Sequence, residues 1–198
     1  MESMNLLYID DKIDLGLSRY LVRKYHSAKY KVNYSERKFN PKEGYESLLR
    51  DEKVREANVI LIDSRLFENQ TANNGKFSGE EFKVVLKKLY PFIEVIVITQ
   101  NGSDSKLQIV GKYNPSCGQS DVEYYDSNLS HEINRALDNV TLYRTLANKM
   151  EGNENWEQVL KEKVLGTLNG VDAYDELKKA DIDQLISAFQ KIQERLDG

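Results

Sequence analysis

Short strand-like runs alternate with amphipathic segments along residues 5–150. Short apolar runs are typical of buried strands, whereas apolar positions repeated every three to four residues indicate amphipathic helices. The strand-like runs are residues 5–9, 31–39, 58–62, 93–98 and 122–125. The helix-like segments are residues 14–26, a short helix that begins at Pro41, 82–89 and 129–150. This order predicts five successive β-α units.

The strict alternation of strands and helices determines the predicted fold class. Parallel strands that are covered by helices on both faces read as uninterrupted apolar runs, so the pattern predicts an α/β protein with a parallel sheet. After the polar stretch 151–155 the strand pattern does not return. We therefore predict one α/β domain over residues 1–150 and an α-helical extension over residues 151–198.

The predicted extension has an apolar stripe at helical spacing. The stripe consists of Ile182, Leu185, Ile186, Phe189, Ile192 and Leu196. Fewer than fifty residues seldom form an independent core, so the stripe is expected to pack against something else. The first helix of the extension, the domain 1–150, a second subunit in a homodimer and a foreign partner all stay open as its contact.

The distribution of charge argues against nucleic-acid binding. The net charge is −4, and residues 153–198 alone supply it with 6 basic and 10 acidic side chains. Phosphates would be repelled by such a tail. Residues 19–42 carry eight basic side chains and one acidic side chain, but no nucleic-acid-binding motif accompanies them. We interpret this basic segment as a solvated surface and expect no nucleic-acid partner.

Composition also bears on the cellular compartment. No apolar run is long enough to span a membrane, and the first residues lack the basic and apolar segments of a secretory signal. A single cysteine, Cys117, fits a reducing compartment, and two histidines with one cysteine offer few zinc ligands. We expect a cytoplasmic protein without a membrane partner.

Acidic side chains follow two of the apolar strands. Asp10 and Asp11 end the first strand, Asp63 ends the third, and Thr99 ends the fourth. In an open parallel sheet the carboxyl ends of the strands form the ligand-binding edge, and Mg²⁺ prefers carboxylate oxygens. A single Asp at a strand end is often only a turn former or a helix cap. The joint pattern is what favours a metal site.

Three strands and two connecting segments resemble response-regulator receiver domains. The strands are Leu6–Asp11, Val59–Asp63 and Val95–Thr99. Residues 78–82 resemble the family's turn into the third helix, and residues 123–132 resemble the region of its fifth strand and fifth helix. The resemblance covers about residues 4–145. It implies a flavodoxin-like (βα)5 doubly wound sheet with strand order 2-1-3-4-5.

The resemblance assigns roles to the acidic residues. Asp63 matches the phosphoacceptor aspartate of the family. Asp10 and Asp11 match the acidic pair that binds Mg²⁺ together with Asp63. The main-chain carbonyl of Arg65 matches a further ligand of that ion. The implied cofactor is therefore Mg²⁺.

The resemblance also implies a switch and shows departures from the family. Thr99 matches the hydroxyl that binds the phosphoryl group, and Tyr124 matches the aromatic side chain that moves with it. The lysine and proline that follow the family's fifth strand fall on Ser127 and Asn128. Gln100 stands where the family has a small residue.

Two further features follow from this match. Residues 68–75 form an insertion, which is either a lid over the site or a solvated loop. Lys76, Lys106 and Lys112 are candidates to replace the missing lysine, and the sequence cannot choose among them.

Two functions stay open at this point. One is a signalling regulator, phosphorylated on Asp63 with Mg²⁺, that acts through protein contacts with a sensor kinase or other phosphodonor and with an output partner. The other is a phosphorylation-independent pseudo-receiver that serves as a scaffold or complex subunit. A phosphohydrolase of the haloacid-dehalogenase type would need Asp-x-Asp, but Lys12 stands at the second acidic position. We therefore expect no enzymatic activity.

Overall fold

The computed structural model describes residues 1–67, 78–104 and 107–152, together with the single residue 165. The strands are β1 (Glu2–Asp10), β2 (Tyr30–Lys38), β3 (Val59–Asp63), β4 (Glu94–Thr99) and β5 (Ile109–Gly111). The helices are α1 (Leu15–Arg23), α2 (Glu46–Arg50), α3 (Glu52–Glu56), α4 (Gly79–Leu89), α5 (Asp121–Asn128) and α6 (Ser130–Glu151). Short 3₁₀ turns occupy Pro41–Glu43 and Pro115–Cys117.

The five strands form one parallel sheet in the order β2-β1-β3-β4-β5. This order confirms the predicted flavodoxin-like doubly wound sheet, and it fits the fold of a receiver domain. The strand order reverses between β1 and β3, which is the switch point where such sheets bind their ligands. Asp10 and Asp63, the last residues of these two strands, lie at that point.

Helices cover both faces of the sheet, as uninterrupted apolar strands require. Successive residues of β1 point to opposite faces, so Leu7 and Ile9 pack on one side and Leu6 and Tyr8 on the other. The first side is covered by α2, α3 and α4, and the second by α1, α5 and α6. These two apolar layers bury the sheet and fix the ends of its strands.

The predicted position of the fifth strand, residues 122–125, is wrong. These residues belong to α5, and β5 lies earlier in the chain, at Ile109–Gly111. A capping box starts α5: the Ser120 hydroxyl accepts from the Glu123 amide, and the Glu123 carboxylate accepts from the Ser120 amide. Two satisfied amides at a helix start outweigh the strand preference of Val122 and its tyrosine neighbours.

The predicted β-α alternation also fails between β4 and β5. The described residues of the connection 100–108 contain no helix. Instead, Asp104 and Ile109 exchange backbone hydrogen bonds of 2.9 and 2.8 Å on the outer edge of β5. The chain thus covers its own edge strand, where unpaired backbone groups would otherwise be exposed.

The long last helix agrees with its predicted range of residues 129–150, since α6 runs from Ser130 to Glu151. Residues 153–164 and 166–198 lie outside the described residues, as do residues 105–106 and residues 68–77, which contain the insertion 68–75. The division into two domains, the apolar stripe and the homodimer through residues 153–198 therefore stay predictions. Within the described ranges, every helix is too short or too polar to cross a membrane.

Candidate functional site

The carboxyl ends of the strands bring the predicted acidic residues together. Asp10, Asp11 and Asp63 each offer one carboxylate oxygen, and these oxygens lie within 4.8 Å of one another. Asp10 and Asp63 are buried, while Asp11 is half-buried. Arg65 lies in the turn directly after Asp63. The sequence predicted this grouping because parallel strands end at one edge of a sheet.

Lys112, directly after β5, supplies the positively charged side chain of the site. The resemblance had aligned the family's lysine with Ser127 instead. The Lys112 Nζ lies 2.5 Å from Asp63 Oδ1 and 3.0 Å from Asp10 Oδ2. Ser127 is exposed on α5. The inference that Ser127 replaces the lysine is therefore wrong, because it depended on a strand at residues 122–125. Of the three lysines left open by the sequence, Lys112 reaches the site, and the other two are outside the described residues.

The ion pair of Lys112 compensates for the burial of the carboxylates. Burial raises the pKa of Asp63 above its ordinary value, although the hydrogen bond and charge of Lys112 act in the opposite direction. Burial alone would lower the pKa of Lys112, but its contacts with Asp63 and Asp10 raise it overall. Lys112 is therefore a permanent ammonium that offsets negative charge at this edge.

Hydrogen bonds fix the orientation of Asp10. Oδ1 accepts from the backbone amide of Lys12 at 2.9 Å. Oδ2 accepts from Lys112 and also, in a short hydrogen bond, from the hydroxyl of Tyr8. Burial and the charge of Asp10 raise the pKa of Tyr8 far above its ordinary value, so this hydroxyl stays a donor. Sequence reasoning counted Tyr8 only as an apolar strand residue.

Asp63 is held by its own turn and by the start of α4. Its Oδ2 accepts from the amide of Arg65 at 2.9 Å. The amide of Gly79 donates to the carbonyl of Ser64 at 2.8 Å, and a Cβ atom at Gly79 would lie only 2.3 Å from the carbonyl oxygen of Asp63. A glycine is therefore required where α4 approaches the backbone of Asp63. The predicted turn at residues 78–82 is located here.

The two predicted switch residues lie in different environments. Thr99 is buried at the end of β4, and its Oγ1 accepts from the amide of Asn101 at 3.2 Å. Gln100, the next residue, is exposed. Tyr124 lies on α5 and donates to the carbonyl of Gly111 at 3.1 Å. Because β5 itself contains no aromatic residue, the match of Tyr124 to a strand-five switch loses its basis.

A chain of hydrogen bonds links the site to α1 and α5. The Tyr8 hydroxyl accepts from the amide of Asp14 at 3.3 Å. The Asp14 carboxylate accepts from the Tyr125 hydroxyl at 3.4 Å, which in turn accepts from the amide of Tyr113 at 3.1 Å. Since Tyr113 directly follows Lys112, this chain runs from Asp10 back to the segment that carries the site's cation.

The donor set fits a hard divalent cation. Three carboxylates from two neighbouring strand ends provide oxygen ligands within the distance that one ion can bridge. Asp10, Asp11 and Asp63 could hold Mg²⁺, and Lys112 would then be a second positive group beside them.

Comparisons with known proteins add little to this description. No protein-family model and no curated protein matches the chain. Among solved structures, the chain is similar to the RcsB response regulator of Salmonella typhimurium, studied for its conformational dynamism in DNA interaction. The identity is 15%, the TM-score is 0.38, and the alignment covers 95% of this chain and 100% of that chain. At these values the likeness supports no argument, and the fold assignment depends on the strand order.

The class defined by fold and site is a doubly wound α/β domain with an acidic cluster and a lysine at its switch point.

Proposed function

We propose that this chain is a receiver-like signalling protein whose Asp63 accepts a phosphoryl group, with Mg²⁺ as cofactor. The observation that carries the proposal is the position of Lys112, whose ammonium contacts both Asp63 and Asp10. A lysine that pairs with the acceptor carboxylate supplies the charge-assisted contact that phosphoryl chemistry needs. The buried acceptor, the acidic pair and the lysine occupy one edge of the sheet.

The reaction follows from the chemistry of a carboxylate nucleophile. An oxygen of Asp63 forms a bond to phosphorus while the bond from phosphorus to the donor's leaving group breaks, which yields an acyl phosphate. Asp63 must be ionised to attack, and Lys112 favours that form. After transfer, the Lys112 ammonium is available to the phosphoryl oxygens. Mg²⁺, when bound by the acidic residues, supplies additional positive charge against the transferred group.

Thr99 is the proposed hydroxyl partner of the phosphoryl group. It ends β4, the strand beside Asp63, and its hydroxyl oxygen accepts from the amide of Asn101, which leaves the hydroxyl proton to donate to a phosphoryl oxygen. Gln100 is exposed and so does not obstruct that contact. We do not include Tyr124 in this switch.

The remaining elements of the proposal concern partners and location. A sensor kinase or other phosphodonor would supply the phosphoryl group, and a protein would receive the signal. On this proposal the chain acts in the cytoplasm through protein contacts and is not an enzyme. The partners follow from the resemblance of its motifs to receiver domains, the location from its composition, and the lack of enzymatic activity from Lys12 at the second acidic position.

One observation favours a second function, a phosphorylation-independent scaffold. Lys112 already contacts both Asp10 and Asp63, so its single charge offsets part of their negative charge. A site whose buried charges are partly paired internally can be stable without metal or phosphoryl group. The pseudo-receiver therefore stays the alternative, and one experiment separates the two functions.

The test is exposure of the full chain to acetyl phosphate and Mg²⁺, followed by intact-mass spectrometry. We expect the wild type to gain one phosphoryl group and Asp63→Asn to gain none. Lys112→Ala should react at least tenfold more slowly, because removal of one preorganised charge typically costs about a hundredfold or more. Ser127→Ala is the matched control and should react like the wild type. No added mass on the wild type, together with unchanged amide NMR shifts on addition of beryllofluoride, would contradict the phosphorylation proposal and favour the scaffold.

A further inference from the structure

Tyr8 places a hydroxyl beneath the acidic cluster, on the side that solvent cannot reach. Its side chain is fully buried among the apolar residues under α1, α5 and α6. It lies two residues before Asp10 on β1, so both side chains leave the strand on the same face. The apolar body of the ring belongs to the core, while its hydroxyl reaches the Asp10 carboxylate.

We propose that Tyr8 is a positioning residue that sets the orientation of the Asp10 carboxylate for a divalent cation. This inference rests on the proposed function, because it concerns a ligand of the Mg²⁺ site. It goes beyond that function because it identifies a tyrosine of the core as the residue that orients the Asp10 carboxylate.

The hydrogen bonds of Asp10 show what Tyr8 contributes. A carboxylate has about four lone-pair positions on its two oxygens. Among the described residues, the Lys12 amide, Lys112 and Tyr8 use three of them, and two of these three contacts are on Oδ2. The position that these donors leave is on Oδ1. Tyr8 therefore directs one oxygen toward the core and leaves the other with space for a cation.

The hydroxyl of Tyr8 is itself fixed. It accepts from the amide of Asp14, the residue that caps α1. Asp14 caps that helix by accepting from the amides of Gly16 and Leu17 at 2.8 and 3.0 Å. The start of α1 therefore holds the tyrosine, and the tyrosine holds the carboxylate. A rigid donor of this kind orients a metal ligand better than a mobile water would.

Without the hydroxyl, Lys112 would dominate the orientation of Asp10. Among the described residues, the side chains of Tyr8 and Lys112 donate to Asp10, and the Lys112 ammonium also contacts Asp63. In Tyr8→Phe the carboxylate can turn further toward this ammonium, which keeps its oxygens from a cation. Solvent cannot replace the lost donor, because Tyr8 and Asp10 are 0% and 1% exposed. The ring itself stays, so the packing of the core changes little.

The test measures Mn²⁺ affinity of the full chain by electron paramagnetic resonance, which detects the free ion. We expect Tyr8→Phe to weaken binding roughly 10- to 100-fold, the usual effect of losing a residue that supports a ligand. Tyr20→Phe is the matched control. It removes another buried tyrosine hydroxyl on the same face, one that contacts Asp126 at 3.3 Å, and it should bind like the wild type within about twofold.

A double-mutant cycle shows whether Tyr8 acts through Asp10. In an Asp10→Asn background, Tyr8→Phe should cause no further loss of Mn²⁺ affinity. In metal-free protein, Tyr8→Phe should shift the ¹³C resonance of the Asp10 carboxyl group, and Tyr20→Phe should not.

Three results would contradict the positioning role of Tyr8, and only the third would also contradict the proposed metal site. Equal Mn²⁺ affinity of Tyr8→Phe and wild type overturns the positioning role alone. A loss of the same size in the Asp10→Asn background shows a merely structural effect and overturns it as well. A wild type that binds no Mn²⁺ overturns the metal site of the proposed function and, with it, this inference.

Discussion

The ammonium of Lys112 lies between two carboxylates that are almost excluded from solvent. The side chains of Lys112, Asp63 and Asp10 are 14%, 7% and 1% exposed. Two carboxylates at this depth would each disfavour the charge of the other, and the lysine reduces that repulsion. Its position after β5 therefore favours a charged Asp63 at a buried strand end.

Replacement of Lys112 should expose the cost of this burial. We expect Lys112→Met to lower the free energy of unfolding at neutral pH by about 3 kcal/mol, because it leaves a buried charge without a partner. Urea denaturation measures the change. The double variant Lys112→Met/Asp63→Asn should regain part of the loss, since it removes one of the unpaired charges. A loss below about 0.5 kcal/mol, the range of surface substitutions, would show that the pair is not buried in solution.

At the scale of elements, α4 connects the end of β3 with the segment before β5. Gly79 at its start touches the backbone of Asp63. One turn further on, the Lys83 Nζ donates to the carbonyl of Leu107 at 2.8 Å and to Gln108 Oε1 at 2.9 Å. Gln108 adopts a φ of 55°, a left-handed conformation that is strained for a residue with a side chain. Lys83 thus stabilises the chain just before β5, and β5 leads directly to Lys112.

The pH dependence of stability should report on Lys83. Burial lowers its pKa to about 8 in the folded protein, although the charge of Glu94 acts in the opposite direction. Its ordinary value is 10.5, so the unfolded chain binds more protons between these two values, and stability rises with pH across that window. The cost of the buried ammonium is therefore fully present below about pH 8 and is lost by about pH 10.5.

Denaturation at several pH values tests this expectation with a matched pair of variants. The difference in unfolding free energy between wild type and Lys83→Met should shift in favour of the wild type as the pH rises from about 8 to about 10.5. Lys88→Met, on an exposed position of the same helix, should keep a constant difference from the wild type. A constant difference for Lys83→Met would contradict the lowered pKa.

At the scale of the whole molecule, the described members of both core clusters lie before the predicted extension. Their described members lie between Met4 and Val140, and all five strands precede α6. The basic segment 19–42 is likewise partly neutralised within the domain. Arg19 pairs with Asp121, Lys29 with Asp138, and Arg37 with Glu43 and Asp51. The absence of a nucleic-acid partner stays a prediction.

Deletion of residues 153–198 should therefore leave a folded domain. We expect the truncated chain to unfold cooperatively and to keep the amide NMR pattern of the sheet, because it keeps every described residue of the apolar layers on both faces. Sedimentation of both chains tests the predicted homodimer at the same time: a dimer that becomes a monomer on truncation would support it. A truncated chain without cooperative unfolding would show that the extension completes the core.

The sequence by itself determined four of the five strands and the acidic half of the site. Apolar runs such as residues 58–62 specify strands that are buried on both faces, and Asp10 and Asp63 meet because parallel strands end at a common edge. These features depend on local patterns, which a single sequence displays. The register at the carboxyl ends of β1 and β3 then follows from the fold class.

Tertiary structure alone decided the cationic half of the site. β5 is a three-residue edge strand, too short to give a periodic signal, whereas residues 122–125 have a strand-like composition. The capping pattern Ser120-x-x-Glu123 was the available sign that a helix begins there. Without the position of β5, neither the contact of Lys112 with Asp63 nor that of Tyr8 with Asp10 could be derived, because side-chain contacts depend on packing that a linear pattern does not contain.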